Sequence, residues 1–341
     1  MTVNAPRLKV FLTVDSEIWP SEIANELFGA EEIRHEFPMQ FAHYILGRTA
    51  NGEYGIRHQM RVLDRYGLKA TFFQETLFSE IAGREWLADI VSMIVDGGHD
   101  IQLHVHTEWL GRREMSVVLP RRINIREYSV ADQASILRRA KELLVDAGAP
   151  KPIAFRAGNF GASHETLRAL EQVGIRIDSS YNYPYLGGAC SLALGQPLTD
   201  PAWLGQIAEF PVSFHYDFLN RPHPAHLIAC SQRELEWALT AAWQAGWPAF
   251  VIVWHSRELL YPRQRAGDAT RVNHAIAERL EGLARFLAEN PARFECNVFG
   301  NCDTGIVADL PRTPRPIRAK PALTVQRMLE RVASQLQRAP T

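Results

Sequence analysis

Apolar and polar residues alternate along this chain with two different periods. Short runs rich in Val, Ile and Phe are typical of buried strands, and apolar residues spaced three and four apart are typical of helices. Predicted strands and predicted helices follow one another for most of the length. The predicted strands cover residues 8–14, 69–73, a run ending at 104, 152–155, 175–178, 207–212, 249–254 and 293–298, and the predicted helices cover residues 57–66, 86–95, 135–147, 163–173, 234–245 and 274–287.

This alternation predicts an α/β fold, either a mostly parallel sheet or a (β/α) barrel, with its chemistry at the carboxyl ends of the strands. Residues 18–56 interrupt the pattern with prolines, glycines and aromatic residues, and we expect them to form an irregular insertion over one mouth of the fold. We expect one catalytic domain over residues 1–310 and a separate C-terminal segment over residues 311–341.

Two carboxylates close the first predicted strand. Asp15 and Glu17 are two residues apart, so in an extended chain they share a face. Carboxylates at the end of a buried strand are costly unless a cation or a metal meets them. The alternative is an ordinary polar turn at the end of a strand.

Three metal-ligand residue types stand at alternating positions where another strand ends. They are His104, His106 and Glu108. If the strand continues through them, two imidazoles and a carboxylate project the same way, which is a spacing suited to a metal. A pair of surface histidines, or histidines bonded within the core, is the alternative.

Other strand ends carry reactive groups as well. Arg156 opens a turn with Gly158 and Asn159 that could present backbone N–H groups to an anion. Asp178 ends the next strand, and His255 ends the strand after residue 249. Aromatic residues that could stack on a sugar, and histidines that could border a cleft, also follow strand ends: Trp19, Trp109, Tyr181, Tyr183, Tyr185, His215, His223 and His226.

Composition narrows the function. The 341 residues are 46% hydrophobic and 22% charged, and the formal net charge is −1, which gives no basic field for nucleic acid. The four cysteines form no CxxC pair, so we expect free thiols. The first residues lack the pattern of a secretion signal, and no run approaches the ~20 apolar residues of a transmembrane segment. We therefore expect a cytoplasmic protein.

The C-terminal segment differs from the rest. Residues 311–322 are rich in proline and cations, and residues 323–336 can form a short amphipathic helix with Val325, Met328, Leu329, Val332 and Leu336 on one side. Such a helix could dock on its own domain, mediate self-association, or make a peripheral contact with an anionic membrane.

The motifs at these strand ends, in this order, resemble those of the polysaccharide deacetylases, the NodB-like carbohydrate esterase family 4. The resemblance covers roughly residues 8–300 and rests on five stretches. They are Asp15-x-Glu17, Lys69-Ala-Thr-Phe-Phe73, Gly98-His99-Asp100-Ile101 with His104, Phe155-Arg156-Ala157-Gly158, and Val253-Trp254-His255-Ser256. The resemblance implies a distorted (β/α) barrel of about seven parallel strands and a metal-dependent removal of an acetyl group from a sugar.

The same resemblance implies roles for individual residues. Asp15 matches the catalytic base, Arg156 the arginine that holds the base, His255 the general acid, and Asp178 the acidic residue that steadies the acid. Glu17 and His104 match metal ligands, and His106 or Glu108 completes the site. We favour His106, because imidazole suits zinc and a two-residue spacing keeps one face.

The departures from the usual family pattern leave other interpretations open. The first motif usually has adjacent aspartates, and the second usually has histidines four apart, whereas this chain has Ser16 and Glu108 at those places. A metal-independent amidase of the same fold and a non-catalytic carbohydrate-binding protein are the alternatives. With zinc as the expected metal, the expected substrate is an acetylated sugar or surface-polysaccharide precursor linked to a nucleotide or a lipid.

Overall fold

The computed structural model describes residues 6–18, 30–110, 122–262 and 269–338, with side chains described to residue 332. The strands in this part of the chain are β1 (Leu8–Ser16), β2 (Arg48–Thr49), β3 (Gly52–Glu53), β4 (Thr71–Glu75), β5 (Asp100–Val105), β6 (Ala154–Ala157), β7 (Ile177–Asp178), β8 (Ala202–Leu204), β9 (Ile207–Glu209), β10 (Phe214–Tyr216), β11 (Pro222–Pro224), β12 (Ala249–His255) and β13 (Phe294–Asn297).

The helices in the same ranges lie between the strands and after them. They are α1 (Ala30–Tyr44), α2 (Ile56–Arg65), α3 (Ser79–Ala82), α4 (Arg84–Asp96), α5 (Val130–Asp146), α6 (His164–Val173), α7 (Gln232–Gln244), α8 (His274–Glu289) and α9 (Pro321–Arg338). Several begin as the sequence predicts. For example, the hydroxyl of Ser231 caps α7 by accepting from the amide of Glu234, whose carboxylate accepts in turn from the Ser231 amide.

The central sheet runs β12-β1-β4-β5-β6-β7-β9, and all of these neighbours are parallel. β8 adds an antiparallel edge to β9, and β13 pairs with the first half of β1. From β9 the chain crosses to β12, where the Ser213 amide donates to the carbonyl of Val251 and the Ser213 hydroxyl accepts from the Val251 amide. The seven parallel strands confirm the predicted α/β fold, a distorted (β/α) barrel.

Period-two alternation decides which side chains enter the barrel. Along β1, Val10, Leu12 and Val14 face the helices, whereas Phe11 packs inside the barrel. There the ring of Phe11 lies 4.7 Å from that of Phe299, and other aromatic and aliphatic side chains of the strands fill the remaining space. Asp15 has the same parity as Phe11, so β1 brings it to the interior at the carboxyl end of the strand.

The predicted irregular insertion at residues 18–56 is wrong for its described part. Residues 30–44 form α1, and a two-strand hairpin of β2 and β3 follows. Ile33, Phe37 and Phe41, four residues apart, are buried on one face of α1, and Phe37 stacks on Phe78 at 5.1 Å. This apolar stripe outweighs the cost of Pro38 within the helix. Residues 19–29, including Trp19, lie outside the described residues.

The C-terminal helix α9 docks on its own chain. It packs against α7, and its Arg327 side chain is buried. Glu330 forms an ion pair of 3.0 Å with Arg279 of α8. The apolar residues Val325, Met328, Leu329 and Val332 point outward and are exposed. Membrane contact or self-association through this face stays a prediction, and no helix in the described ranges is long and apolar enough to cross a bilayer.

Candidate active site

The end of β1 delivers two buried carboxylates to the mouth of the barrel. Asp15 is the last interior residue of the strand and pairs in register with His255 of β12. Glu17 follows one residue beyond β1 and is 1% exposed. The strand therefore presents both side chains to the groups that end β5, β6 and β12.

Glu17 meets the two histidines of β5 and its continuation. Its Oε2 lies 3.2 Å from His104 Nε2 and is also in contact with His106 Nε2. One ligand atom from each of these three side chains lies within 4.8 Å of the others, and all three residues are buried. We call Glu17, His104 and His106 the mouth cluster.

Each histidine of the mouth cluster is anchored from behind. His104 Nδ1 donates to the carbonyl of Arg156 at 2.8 Å, and His106 Nδ1 lies 3.2 Å from a carboxylate oxygen of Glu108. Because a carbonyl only accepts, His104 Nδ1 carries the proton, and its Nε2 lone pair faces Glu17. Two imidazole nitrogens and a carboxylate oxygen that converge in this way need a cation among them, so the donor set fits a divalent metal.

Glu108 stands behind His106 and outside the mouth cluster. Its Oε2 faces His106 Nδ1, and its Oε1 accepts from Asn159 Nδ2 at 2.9 Å. Of the two alternatives for the third ligand, the structure therefore brings His106 to Glu17 and uses Glu108 to orient it.

The mouth cluster is strongly coupled electrostatically. Burial alone would raise the pKa of Glu17, but the charges of His106 and His255 and hydrogen bonds from His104 and His106 hold it well below its usual range. Burial opposes the charge of His106, yet Glu17 and Glu108 raise its pKa well above its usual range. These opposite shifts show how strongly Glu17 favours a cation beside it.

Arg156 fixes Asp15 from inside the barrel. Its Nη1 donates to Asp15 Oδ1 at 2.7 Å and to the Thr13 hydroxyl at 2.9 Å, and its Nε and Nη2 donate to the carbonyl and hydroxyl of Ser179. The guanidinium carbon lies 4.3 Å from the centre of the Phe73 ring. Among the described residues only Oδ1 of Asp15 is engaged, which leaves Oδ2 to accept a proton.

His255 is held by a residue that the sequence analysis missed. Its Nδ1 donates to Glu258 Oε1 at 2.6 Å, and the same oxygen lies 3.0 Å from His226 Nε2. His255 Nε2 lies 3.5 Å from Glu17 Oε1. Burial opposes the charge of His255, but Glu258, then Glu17, then Asp15 raise its pKa to about 9. The only sequence signal for Glu258 was its place three residues after His255.

The structure does not bring Asp178 to His255, so its predicted role as the partner of the acid is corrected. Ile177 packs inside the barrel, and the next residue of the strand therefore points outward. There Asp178 accepts from the Ser180 hydroxyl at 2.6 Å and lies beside Glu209 of β9. Burial and Asp178 raise the pKa of Glu209 well above its usual range, so the two carboxyls share a proton.

The turn after β6 is shaped to fit the mouth cluster. A Cβ on Gly158 would lie 2.8 Å from His106 Nδ1, so only glycine fits there without a shift of the histidine. Asn159 and Phe160 both have positive φ angles, 55° and 57°. This local backbone strain curls the predicted turn along the wall of the site.

A cavity of about 530 Å³ opens over these groups. This volume lies within the range of small-molecule sites. Among the described residues it is lined by Asp15, Glu17, His104, His106, Ile123, Asn124, Arg126, Ala157, Asn159, Phe160, Tyr185, Gly188, Ala189 and His255.

Of the aromatic residues proposed to stack on a sugar, Tyr185 lines this cavity and lies 5.5 Å from the ring of Phe160. The other three that are described are used elsewhere. Trp109 is buried against Phe78, Tyr181 accepts from the Leu198 amide, and Tyr183 packs on Phe214. Of the histidines proposed to border a cleft, His226 reaches Glu258, whereas His215 and His223 stack on each other 6.0 Å apart outside the described lining.

Comparisons with known proteins agree with this architecture. The family profile described as polysaccharide deacetylase matches residues 55–177, a segment that contains His104, His106 and Arg156 and leaves out Asp15, Glu17 and His255. No curated protein sequence is significantly similar to the chain.

Three solved structures illustrate the similarity of fold. A Mycobacterium smegmatis protein assigned as a polysaccharide deacetylase has 15% identity and a TM-score of 0.49, covering 98% of this chain and 93% of that one. A family 4 carbohydrate esterase from Streptomyces lividans in complex with acetate has 14% identity and a TM-score of 0.42, covering 89% and 98%. A family 4 pseudoenzyme from Bacillus anthracis has 13% identity and a TM-score of 0.42, covering 86% and 64%.

Identities and TM-scores this low carry no information about activity. The family profile is a separate finding, because it matches the sequence itself over β4 to β7. The segment from residue 55 to residue 177 therefore belongs to the polysaccharide deacetylase family, which confirms the resemblance that the strand-end motifs predicted.

Proposed function

We propose that this protein is a metal-dependent hydrolase that removes an acetyl group from a sugar or a surface-polysaccharide precursor. The observation that carries the proposal is the meeting of three kinds of group at one mouth of the barrel. A metal-ligand set, a carboxylate held by a buried arginine, and an imidazolium held by a carboxylate all line one cavity. Amide or ester hydrolysis needs a Lewis acid, a base and an acid in that proximity.

Glu17, His104 and His106 would hold the metal. Two imidazoles and one carboxylate are the ligand set of many hydrolytic zinc sites, which keep a further coordination position open. We therefore expect zinc. When bound, such a metal supplies Lewis acidity toward a carbonyl oxygen and toward water.

Asp15 is the proposed general base. Its Oδ1 accepts from Arg156 at 2.7 Å, so the carboxylate is fixed in direction, and Oδ2 can take a proton from the attacking water. Arg156 does not contact the cavity among the described residues. It acts by positioning Asp15.

His255 is the proposed general acid. Glu258 accepts from its Nδ1, so that Nε2–H is the proton directed into the cavity, where it can protonate the leaving amine or hydroxyl. In this proposal Glu258 takes the role that the sequence analysis gave to Asp178.

The test is acetate release together with metal content. Purified protein should hold about one equivalent of metal and release acetate from N-acetylated sugars, and a chelator should abolish the reaction until zinc is restored. Asp15→Asn is the matched control, since it keeps the side-chain shape and the metal ligands. It should keep the metal and lose turnover.

Two outcomes would favour the alternative functions. Hydrolysis that is indifferent to chelation would point to a metal-independent amidase. Sugar binding without any release of acetate, the same in the wild type and in Asp15→Asn, would point to a non-catalytic carbohydrate-binding protein. A cytoplasmic location and a precursor linked to a nucleotide or a lipid stay predictions, and cell fractionation tests the first of them.

A further inference from the structure

The cavity over the mouth cluster contains one cation that the proposed reaction does not use. Among the described residues of the lining, Asp15, Glu17, His104, His106 and His255 belong to the proposed machinery, and Arg126 is the remaining charged group. An arginine in a binding cavity that neither reacts nor positions a reacting group is available to a ligand.

Arg126 is held in place at two points. Its backbone amide donates to the carbonyl of Gly161 in the turn after β6, and its Nη2 donates to the carbonyl of Gly188 at 3.1 Å. Both neighbours belong to the cavity region, so the guanidinium is fixed at the wall rather than free in solvent.

The guanidinium is not satisfied by these contacts. Its Nε is buried and has no hydrogen-bond acceptor within the described chain. A buried donor left without an acceptor costs about 1–3 kcal/mol, and more when the group is charged.

The described acidic residues near Arg126 already have other partners. Glu127 accepts from Asn124 Nδ2 at 2.8 Å, and Glu108 accepts from Asn159 Nδ2 and faces His106. Asp132 accepts from the hydroxyl of Ser129 at the start of α5. The described chain therefore gives Arg126 no carboxylate partner.

We propose that Arg126 binds an anionic group on the sugar whose acetyl group is removed, so that the preferred substrate carries a carboxylate or a phosphate. The inference rests on the proposed function and specifies its substrate class. A guanidinium bonded through one nitrogen and free at others forms strong, charge-assisted hydrogen bonds to either oxyanion. Aromatic Tyr185 on the same cavity offers a surface for the sugar ring.

The experiment compares three substrates that differ in charge. N-acetylglucosamine oligomers are neutral, N-acetylglucosamine 1-phosphate carries a phosphate, and N-acetylmuramic acid carries a carboxylate. We expect the wild type to have a lower KM for at least one charged substrate. In Arg126→Gln, which keeps a donor for Gly188, that preference over the neutral substrate should fall by about 10- to 100-fold.

Arg122→Gln is the matched control. Arg122 is exposed, lies over the ring of Tyr128 and is absent from the described lining, so its loss should leave the charge preference intact. If the phosphate substrate alone depends on Arg126, the anion is a phosphate. Dependence of the muramic acid alone identifies a carboxylate.

Binding provides a readout that does not need turnover. Each charged sugar should raise the Tm of the wild type and of Arg122→Gln more than it raises the Tm of Arg126→Gln. If Arg126→Gln leaves the charge preference and these Tm shifts unchanged, the subsite is refuted while the deacetylase proposal stands. If no substrate releases acetate yet the Tm shifts depend on Arg126, the proposed function fails and the anion subsite survives.

Discussion

Two groups of metal-ligand residues lie in this molecule, and their surroundings differ. The mouth cluster brings together two anchored imidazoles and Glu17. A second trio, which we call the flank cluster, consists of His215, Cys230 and Glu234, also buried and within reach of one another. In the flank cluster, however, Glu234 Oε1 lies 3.3 Å from Arg327 Nε, closer than its 3.8 Å separation from His215 Nε2.

The difference teaches that residue types alone do not make a metal site. Arg327 reaches in from α9 and also lies 3.5 Å from Asp217, so a guanidinium already supplies the positive charge that a metal would bring. Cys230 donates to the carbonyl of Pro224, and burial raises the pKa of its thiol to about 12. A protonated thiol is a poor ligand. In the mouth cluster the imidazoles are instead oriented with Nε2 toward the carboxylate.

The largest expected effect comes from breaking the mouth cluster. His104→Ala should lose the bound metal and lower kcat/KM by roughly 10³-fold or more, because several kcal/mol of Lewis-acid stabilisation disappear. Elemental analysis and acetate release measure the two effects.

Cys230→Ser in the flank cluster is the control for the same experiment. It should keep about one equivalent of metal per chain and its activity. A fall in metal content in Cys230→Ser, with metal retained in His104→Ala, would reverse the assignment of the two clusters.

The next effect concerns stability. Arg327→Met leaves Glu234 and Asp217 buried without their cation, and removing one partner of a buried ion pair costs about 3–5 kcal/mol. The free energy of unfolding, measured by denaturant titration, should fall by that amount while metal content is unchanged. Arg331→Met, an exposed arginine on the same helix, should change stability by less than about 0.5 kcal/mol. Equal stability of the two variants would show that Arg327 does not hold the flank cluster together.

A smaller effect is expected behind the acid. Glu258→Gln removes the carboxylate that orients His255 and should lower kcat by about 10²-fold with little change in KM, since Glu258 is outside the described lining. His226→Gln is the control, because glutamine can still donate to Glu258. A rise in KM at constant kcat in Glu258→Gln would mean that Glu258 shapes binding instead of the acid.

Sequence reasoning located the strand ends because long buried strands keep a strict period of two. Asp15 on a nine-residue strand and His104 on a six-residue strand inherit their direction from their neighbours. Asp178 lies on a strand of two residues, too short for a pattern, and it points outward. Glu258 lies in a turn, where no period relates its side chain to that of His255.

The C-terminal helix failed for a different reason. Its apolar stripe is the natural candidate for the buried face, yet Val325 and Leu329 are exposed and Arg327 is buried. The ion pairs that reverse the orientation of the helix join it to Asp217 and Glu234, about a hundred positions earlier in the chain. Local hydrophobicity contains no information about such partners.

The smallest effect is expected at a histidine that belongs to neither cluster. His99 Nδ1 accepts from the Ala70 amide at 3.1 Å, and its Nε2 donates to Asp64. Burial, with the charge of Lys69, lowers its pKa to about 4. Because the unfolded state has a pKa near 6.5, protonation favours unfolding, so the contribution of His99 is present above about pH 6.5 and is lost as the pH falls toward 4.

That loss should amount to about 2 kcal/mol between pH 7 and pH 5. His99→Gln can keep an acceptor for the Ala70 amide without titrating, so its free energy of unfolding should fall less over this interval than that of the wild type, by the same amount. Denaturant titrations at both pH values measure the difference. Parallel pH dependences in the two proteins would mean that His99 stays uncharged in the unfolded state or is protonated without cost in the fold, and histidines outside the mouth cluster would then need no neutral form.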